Sequence, residues 1–214
     1  MKTLYAFLTI LVLSLLSSCK DSGPISPSNQ ETDPFANGSS ERNLVVVISD
    51  IHLGADLTYA ETNKNLPYLE KFLETVRVSP KVKELVLAGD ILDEWFVPAN
   101  IDTYKGKDQH DFVQRIAITN KGVVDAFNRI IQEGKIKVTY VPGNHDLAIT
   151  AANFASIFPG INQARDEVQG LGTYSPAGLP EVAIEHGHRY NFYCAPDPIS
   201  NKDIAPGSIL PAGY

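Results

Sequence analysis

Four short polar clusters in this sequence carry side chains that can hold metal ions, and each directly follows an apolar run. Ser49-Asp50-Ile51-His52 comes after Val45 to Ile48, and Ala88-Gly89-Asp90 after Leu85-Val86-Leu87. Pro142-Gly143-Asn144-His145-Asp146 comes after Val138 to Val141, and Glu185-His186-Gly187-His188 after Val182-Ala183-Ile184. Asp, Asn and His offer carboxylate, carbonyl and imidazole donors, a set suited to Zn, Mn or Fe and unlike a thiolate structural site. A carboxylate can also bridge two ions about 3.5–4 Å apart, and such a pair activates water and clamps phosphate oxygens for in-line displacement. Taken singly, each cluster has an ordinary explanation as a turn, a helix cap or a hydrogen-bonded core histidine. Four in this order, each behind an apolar run, point to one site.

The elements that must position these clusters alternate along the chain. Leu44 to Ser49 predicts a strand buried on both faces. Leu66 to Val78 predicts a helix with Leu66, Leu69, Phe72, Leu73 and Val76 on one side. Glu84 to Ala88 predicts a second buried strand, and His110 to Glu133 one long helical stretch stopped at Gly134. Ile136 to Val141 and Glu181 to Glu185 predict two more strands. Strand–helix alternation of this kind argues for an α/β layered domain with a largely parallel sheet. Ligands of open α/β sheets bind at the carboxyl ends of the strands, so the clusters are expected to converge on one rim.

The order Asp-x-His, Gly-Asp, Gly-Asn-His-Asp, His resembles the calcineurin-like metallophosphoesterase family, over roughly Leu44 to Tyr193. The resemblance implies an α-β-β-α sandwich and a dinuclear centre of two divalent ions (Mn, Zn or Fe). It places Asp50 and His52 on the first ion, Asp90 between both, and Asn144 and His186 on the second. It implies His145 over the phosphate as electrophile or leaving-group acid, Asp146 fixing its tautomer, and a metal-bound hydroxide as nucleophile. The activity implied is hydrolysis of a small phosphorylated substrate, whether phosphomonoester, phosphodiester or pyrophosphate. His188 is expected as a neighbour of the substrate or metal. The stretch Gly89 to Phe96 is similar to UDP-2,3-diacylglucosamine hydrolases of the same family, and there Trp95 would either line a substrate wall or pack an insertion. The family's closing Gly-His-x-His is missing: the chain has five histidines and none follows His188. That gap leaves open a non-catalytic scaffold on the same fold, and it makes a fragment of a longer protein the expectation, with residues 44–214 an incomplete domain whose C-terminal part is missing. His110 is expected to cap a helix or lie at the surface.

Residues 1–18 read as a signal peptide, with Lys2 ahead of an apolar run from Leu4 to Leu16 that is short for a spanning helix. Leu16-Ser17-Ser18-Cys19 resembles the lipobox of bacterial lipoproteins, which implies acylation at Cys19 and a place in the cell envelope, at the periplasm or outer membrane. Residues 19–43, rich in Ser, Pro and Asn, read as a flexible tether. Beyond Cys19 only Cys194 remains, so no intrachain disulfide is expected once Cys19 is acylated. A net charge of −7 without basic clusters argues against nucleic acid as a partner, and against any membrane attachment besides the lipid anchor.

Overall fold

A computed structural model describes residues 33–60, 62–93, 102–166 and 170–197. Strands β1 (Leu44–Ile48), β2 (Val82–Ala88), β3 (Lys137–Val141) and β4 (Asn162–Gln163) form one sheet in the order β1-β2-β3-β4, and every pairing is parallel. The expected α/β fold with a parallel sheet is therefore present. Helix α1 (Leu66–Val78) joins β1 to β2, α2 (Gln109–Thr119) and α3 (Lys121–Glu133) join β2 to β3, and α4 (Ala151–Ile157) joins β3 to β4. Among the described residues no helix is long and apolar enough to cross a membrane.

Side chains alternate across a strand, and β2 puts this alternation to use. Leu85 and Leu87 enter the main core with Leu73, Val76, Phe112, Ile116, Phe127, Ile130, Phe154 and Phe158 from the helices. Val86 points to the opposite face, where it packs with Val141 and Tyr174. The strand β1 departs from the expectation of two buried faces. Val46 and Ile48 pack on the main core, while Val47 on the other face is 47% exposed. Among the described residues that edge strand pairs only with β2, and the segment carrying Tyr174 and Ile184 covers the middle of the sheet instead.

Three further expectations are corrected. The helical stretch from His110 to Glu133 is two helices, because Asn120 leaves helical geometry at φ −110°, ψ 34°. Its side chain donates to Ile116 O and to Gly54 O, each at 2.9 Å, so the break also ties the helices to the loop after His52. The strand expected at Glu181–Glu185 is reduced to a single antiparallel bridge between Ile184 and Tyr174. Consecutive turns, closed by Leu179 N to Pro176 O and Val182 N to Leu179 O, take up the backbone just before it. Finally, the region read as tether does not run to residue 43. Phe35 packs against Phe72, with ring centroids 6.3 Å apart, and Arg42 donates to Val82 O at 2.5 Å.

Phe35 is only half-buried, so Phe35→Ala should cost about 2 kcal/mol, roughly half the 3–5 kcal/mol of a fully buried Phe. Urea melts of the two proteins check this. A midpoint that does not move would mean residues 35–43 do not belong to the folded body.

Candidate metal centre

The loops after β1 and β2 carry the parallel pairing past the strand ends. Asp50 N donates to Gly89 O at 3.1 Å, Ile51 N and His52 N both donate to Asp90 O, and Leu53 N donates to Ile91 O. The backbone turns left-handed at Asp50, His52 and Asp90, with φ of 55°, 52° and 54°. Among the described residues, Lys105 is the one other non-glycine with positive φ. Each such residue costs about 1–3 kcal/mol, and strain of this kind collects at functional sites. Here it falls on three of the candidate ligands.

Asp146 binds the third cluster to the second. It is fully buried; its Oδ1 accepts from Gly143 N at 2.8 Å, and its Oδ2 from Ile91 N at 2.8 Å and Leu92 N at 3.3 Å. His145 N donates to Asp90 Oδ1 at 2.8 Å. The approach is close enough to require glycine at two points. A Cβ on Gly143 would overlap the Asp90 carboxylate and amide, and one on Gly89 would lie 2.6 Å from Cγ of His186.

His186 completes the group. Its Nδ1 is 2.8 Å from Ala88 O, which fixes Nδ1–H as a donor and turns Nε2 toward the cluster. Nε2 lies 3.1 Å from Asn144 Oδ1 and 3.3 Å from Asp90 Oδ2. From the other side, His52 Nε2 lies 3.9 Å from Asp90 Oδ2 and 4.0 Å from Asp50 Oδ1. Asp50, His52, Asp90, Asn144 and His186 therefore meet at one place, and Asp90 is reached from both flanks.

The partner of His145 differs from the expectation. Asp93 Oδ1, not Asp146, sits 2.8 Å from His145 Nδ1, because both oxygens of Asp146 already accept from backbone amides. Asp93 was missed as a site residue, although its position three residues after Asp90 in Gly-Asp-x-x-Asp was a usable signal. The same Oδ1 is 3.9 Å from His52 Nδ1, and the His52 and His145 rings meet edge-on at 4.6 Å. The donors thus form two neighbouring groups, Asp50–Asp90–His186 and His52–Asp93–His145, each spanning no more than 4.8 Å. His188 belongs to neither group but neighbours His186, with ring centroids 5.4 Å apart; it is buried, its Nε2 donates to Gly170 O at 2.7 Å, and burial lowers its pKa. His110 is exposed within α2, whose actual cap is Asp108, accepting from Asp111 N. Cys19 and Trp95 lie outside the described residues.

Burial alone would raise the carboxyl pKa values of Asp90 and Asp93. Hydrogen bonds from His186 and the His145 amide outweigh it for Asp90, and the hydrogen bond from His145, with the His52 ring nearby, outweighs it for Asp93, so both end below the usual range. Burial works against protonated His186, but Asp90 prevails and raises its pKa to about 9. Asp146 is pushed up by burial and by nearby Asp90. Among the described residues no Lys or Arg forms an ion pair with Asp50, Asp90 or Asp93. Three carboxylates, an amide oxygen and three imidazoles without a side-chain cation match the donor chemistry of divalent metal ions.

The raised pKa has a consequence for stability. Protonated His186 beside Asp90 stabilises the metal-free fold fully below the ordinary histidine value of about 6.5, and that contribution is lost as pH rises through about 9. A metal held by His186 would have to displace the same proton, so it would bind better as pH rises. The rise in Tm on adding Mn2+, relative to EDTA, should therefore grow from about pH 6.5 toward 9. Thermal melts across that range check it, and a Tm gain that shrinks with pH would contradict it.

A family model described as calcineurin-like phosphoesterase matches residues 44–205. No curated protein matches the chain. Among solved structures, the chain is similar to the nuclease MPE of Pseudomonas putida, at 16% identity and a TM-score of 0.34, with 63% of this chain and 56% of that one covered. The chain thus spans about half the length of that structure. The family model spans most of the sequence, including all four clusters, and the chain belongs to the calcineurin-like phosphoesterases.

Proposed function

We propose that this protein hydrolyses phosphate esters with two divalent cations held by Asp50, His52, Asp90, Asn144 and His186. The observation that carries this reading is the convergence of those five side chains around Asp90, with no Lys or Arg pairing to the carboxylates among the described residues. Bound there, a pair of cations would activate water and neutralise the phosphoryl oxygens. The chain's own side chains do the rest. Asp90 lies where a shared ligand belongs, within reach of imidazoles on both flanks. Asp93 accepts from His145 Nδ1 and, with Asp90, favours the imidazolium against the effect of burial, so that Nε2–H can give its proton to the departing oxygen; such a general acid contributes about 10²–10⁴-fold. Asp146 keeps the loops after β2 and β3 together.

The substrate we propose is a phosphomonoester, a phosphodiester or a pyrophosphate. The lipobox-like Leu16-Ser17-Ser18-Cys19 supports a protein anchored through Cys19 in a bacterial envelope, where a small phosphorylated compound is the fitting partner.

Turnover of p-nitrophenyl phosphate and of its bis-ester, with Mn, Zn or Fe and again with chelator, tests the proposal. Metal-dependent release of p-nitrophenol from either ester is the expected result. A folded protein that binds these metals without turning over either ester would favour a scaffold.

A further inference from the structure

His186 sits on a loop, so its place beside Asp90 depends on what holds residues 185–190. Ala88 O accepts from its Nδ1 on the inside. On the outside, the next residues but one and two both reach the same stretch of chain. His188 donates from Nε2 to Gly170 O at 2.7 Å. Arg189 donates from Nη2 to Asp166 Oδ2 at 2.7 Å and to Thr173 Oγ1 at 3.0 Å, while its Nε pairs with Glu185 Oε2 at 2.6 Å. Asp166 N in turn donates to Leu171 O at 2.9 Å. One guanidinium thus joins the residue just before His186 to the chain at Asp166 and Thr173.

We propose that Arg189, acting with Asp166, is a positioning residue that sets the His186 imidazole for metal binding. This rests on the reading of His186 as a ligand. Arg189 makes none of its hydrogen bonds to the ligand cluster, so it acts through the backbone of residues 185–189. The task suits arginine, whose planar fork fixes several acceptors at once, whereas a lysine ammonium would serve only one of these directions well. The pair is partly exposed, and partly exposed ion pairs add little to global stability. Outer partners of metal ligands, by contrast, typically change metal affinity by about 10–100-fold. The two effects therefore separate in experiment.

Calorimetric titration of the full chain with Mn2+ alone, together with melts and Mn2+-dependent turnover, supplies the test. Arg189→Met and Asp166→Asn should each weaken Mn2+ binding about 10-fold, with Tm within a few degrees of the parent. The double variant should lose no more than Arg189→Met alone, because Asp166→Asn removes one of the contacts that Arg189→Met already removes. Turnover should return to the parental level at saturating Mn2+, with only the half-saturating concentration shifted. Arg189→Lys should recover part of the lost affinity. If Arg189→Met does not fold, the nearly isosteric Asp166→Asn decides the matter alone. Unchanged Mn2+ affinity in these variants, alongside weakened binding in His186→Ala, would overturn the positioning role and leave His186 a ligand. Unchanged affinity in His186→Ala as well, or no Mn2+ binding by the parent, would overturn the ligand reading too.

Discussion

Asp90→Ala should lower metal-dependent turnover by about 10³-fold or more. Metal stabilisation of transition-state charge is worth several kcal/mol, and each 1.36 kcal/mol is a factor of ten in rate. No other described carboxylate is within 4 Å of both His52 Nε2 and His186 Nε2 while also accepting from His145 N. Its loss would therefore remove the proposed shared ligand and an anchor of the loop after β3. Asp90→Asn separates these parts, since the amide keeps the shape and an acceptor oxygen but not the charge. Steady-state rates with Mn2+, on protein shown to be folded by circular dichroism, give the answer. A rate within tenfold of the parent would remove Asp90 from the centre of the site.

The second large effect is expected at Asp93, and it should depend on the substrate. With Asp93→Asn the carboxylate that accepts from His145 Nδ1 is gone, and the imidazole loses the partner that fixes its tautomer. An alkyl phosphate, whose leaving oxygen needs a proton, should slow by about 10²–10⁴-fold. p-Nitrophenyl phosphate, whose nitrophenolate departs readily without a proton, should slow much less. His145→Gln should reproduce the pattern, and combining it with Asp93→Asn should add little, as expected of residues acting as one unit. Equal losses on both substrates would deny His145 a role in protonating the leaving group.

The parts of this molecule that were legible in the sequence share a physical cause. β2 buries both faces, so Leu85-Val86-Leu87 had to be continuously apolar, and Asp90 behind it marked the rim. Leu66–Val78 needs one apolar side, and its helix has the expected limits. Where reading failed, a tertiary contact outweighed the local pattern. Asn120 breaks a helical stretch because its amide serves Gly54 O as well as Ile116 O, and nothing nearby in sequence encodes the first partner. Val47 looks like a buried strand residue, but whether a face is covered depends on residues more than a hundred positions away.

The candidate site divides in the same way. The convergence of Asp50, His52, Asp90, Asn144 and His186 follows once four clusters end parallel or neighbouring segments. The pairing inside it does not. Asp146 is adjacent to His145 and so looked like its partner, yet consecutive residues face different ways, and Asp146 turns inward to three amides. Asp93, on another loop, is the one that reaches the ring.

The most direct measurement is anomalous diffraction from crystals soaked in Mn2+. Two peaks about 3.5–4 Å apart on either side of the Asp90 carboxylate, with Asp50 and His52 on one and Asn144 and His186 on the other, are the predicted result. Fully soaked crystals with no peak beside Asp90, or with manganese only among His52, Asp93 and His145, would contradict the account.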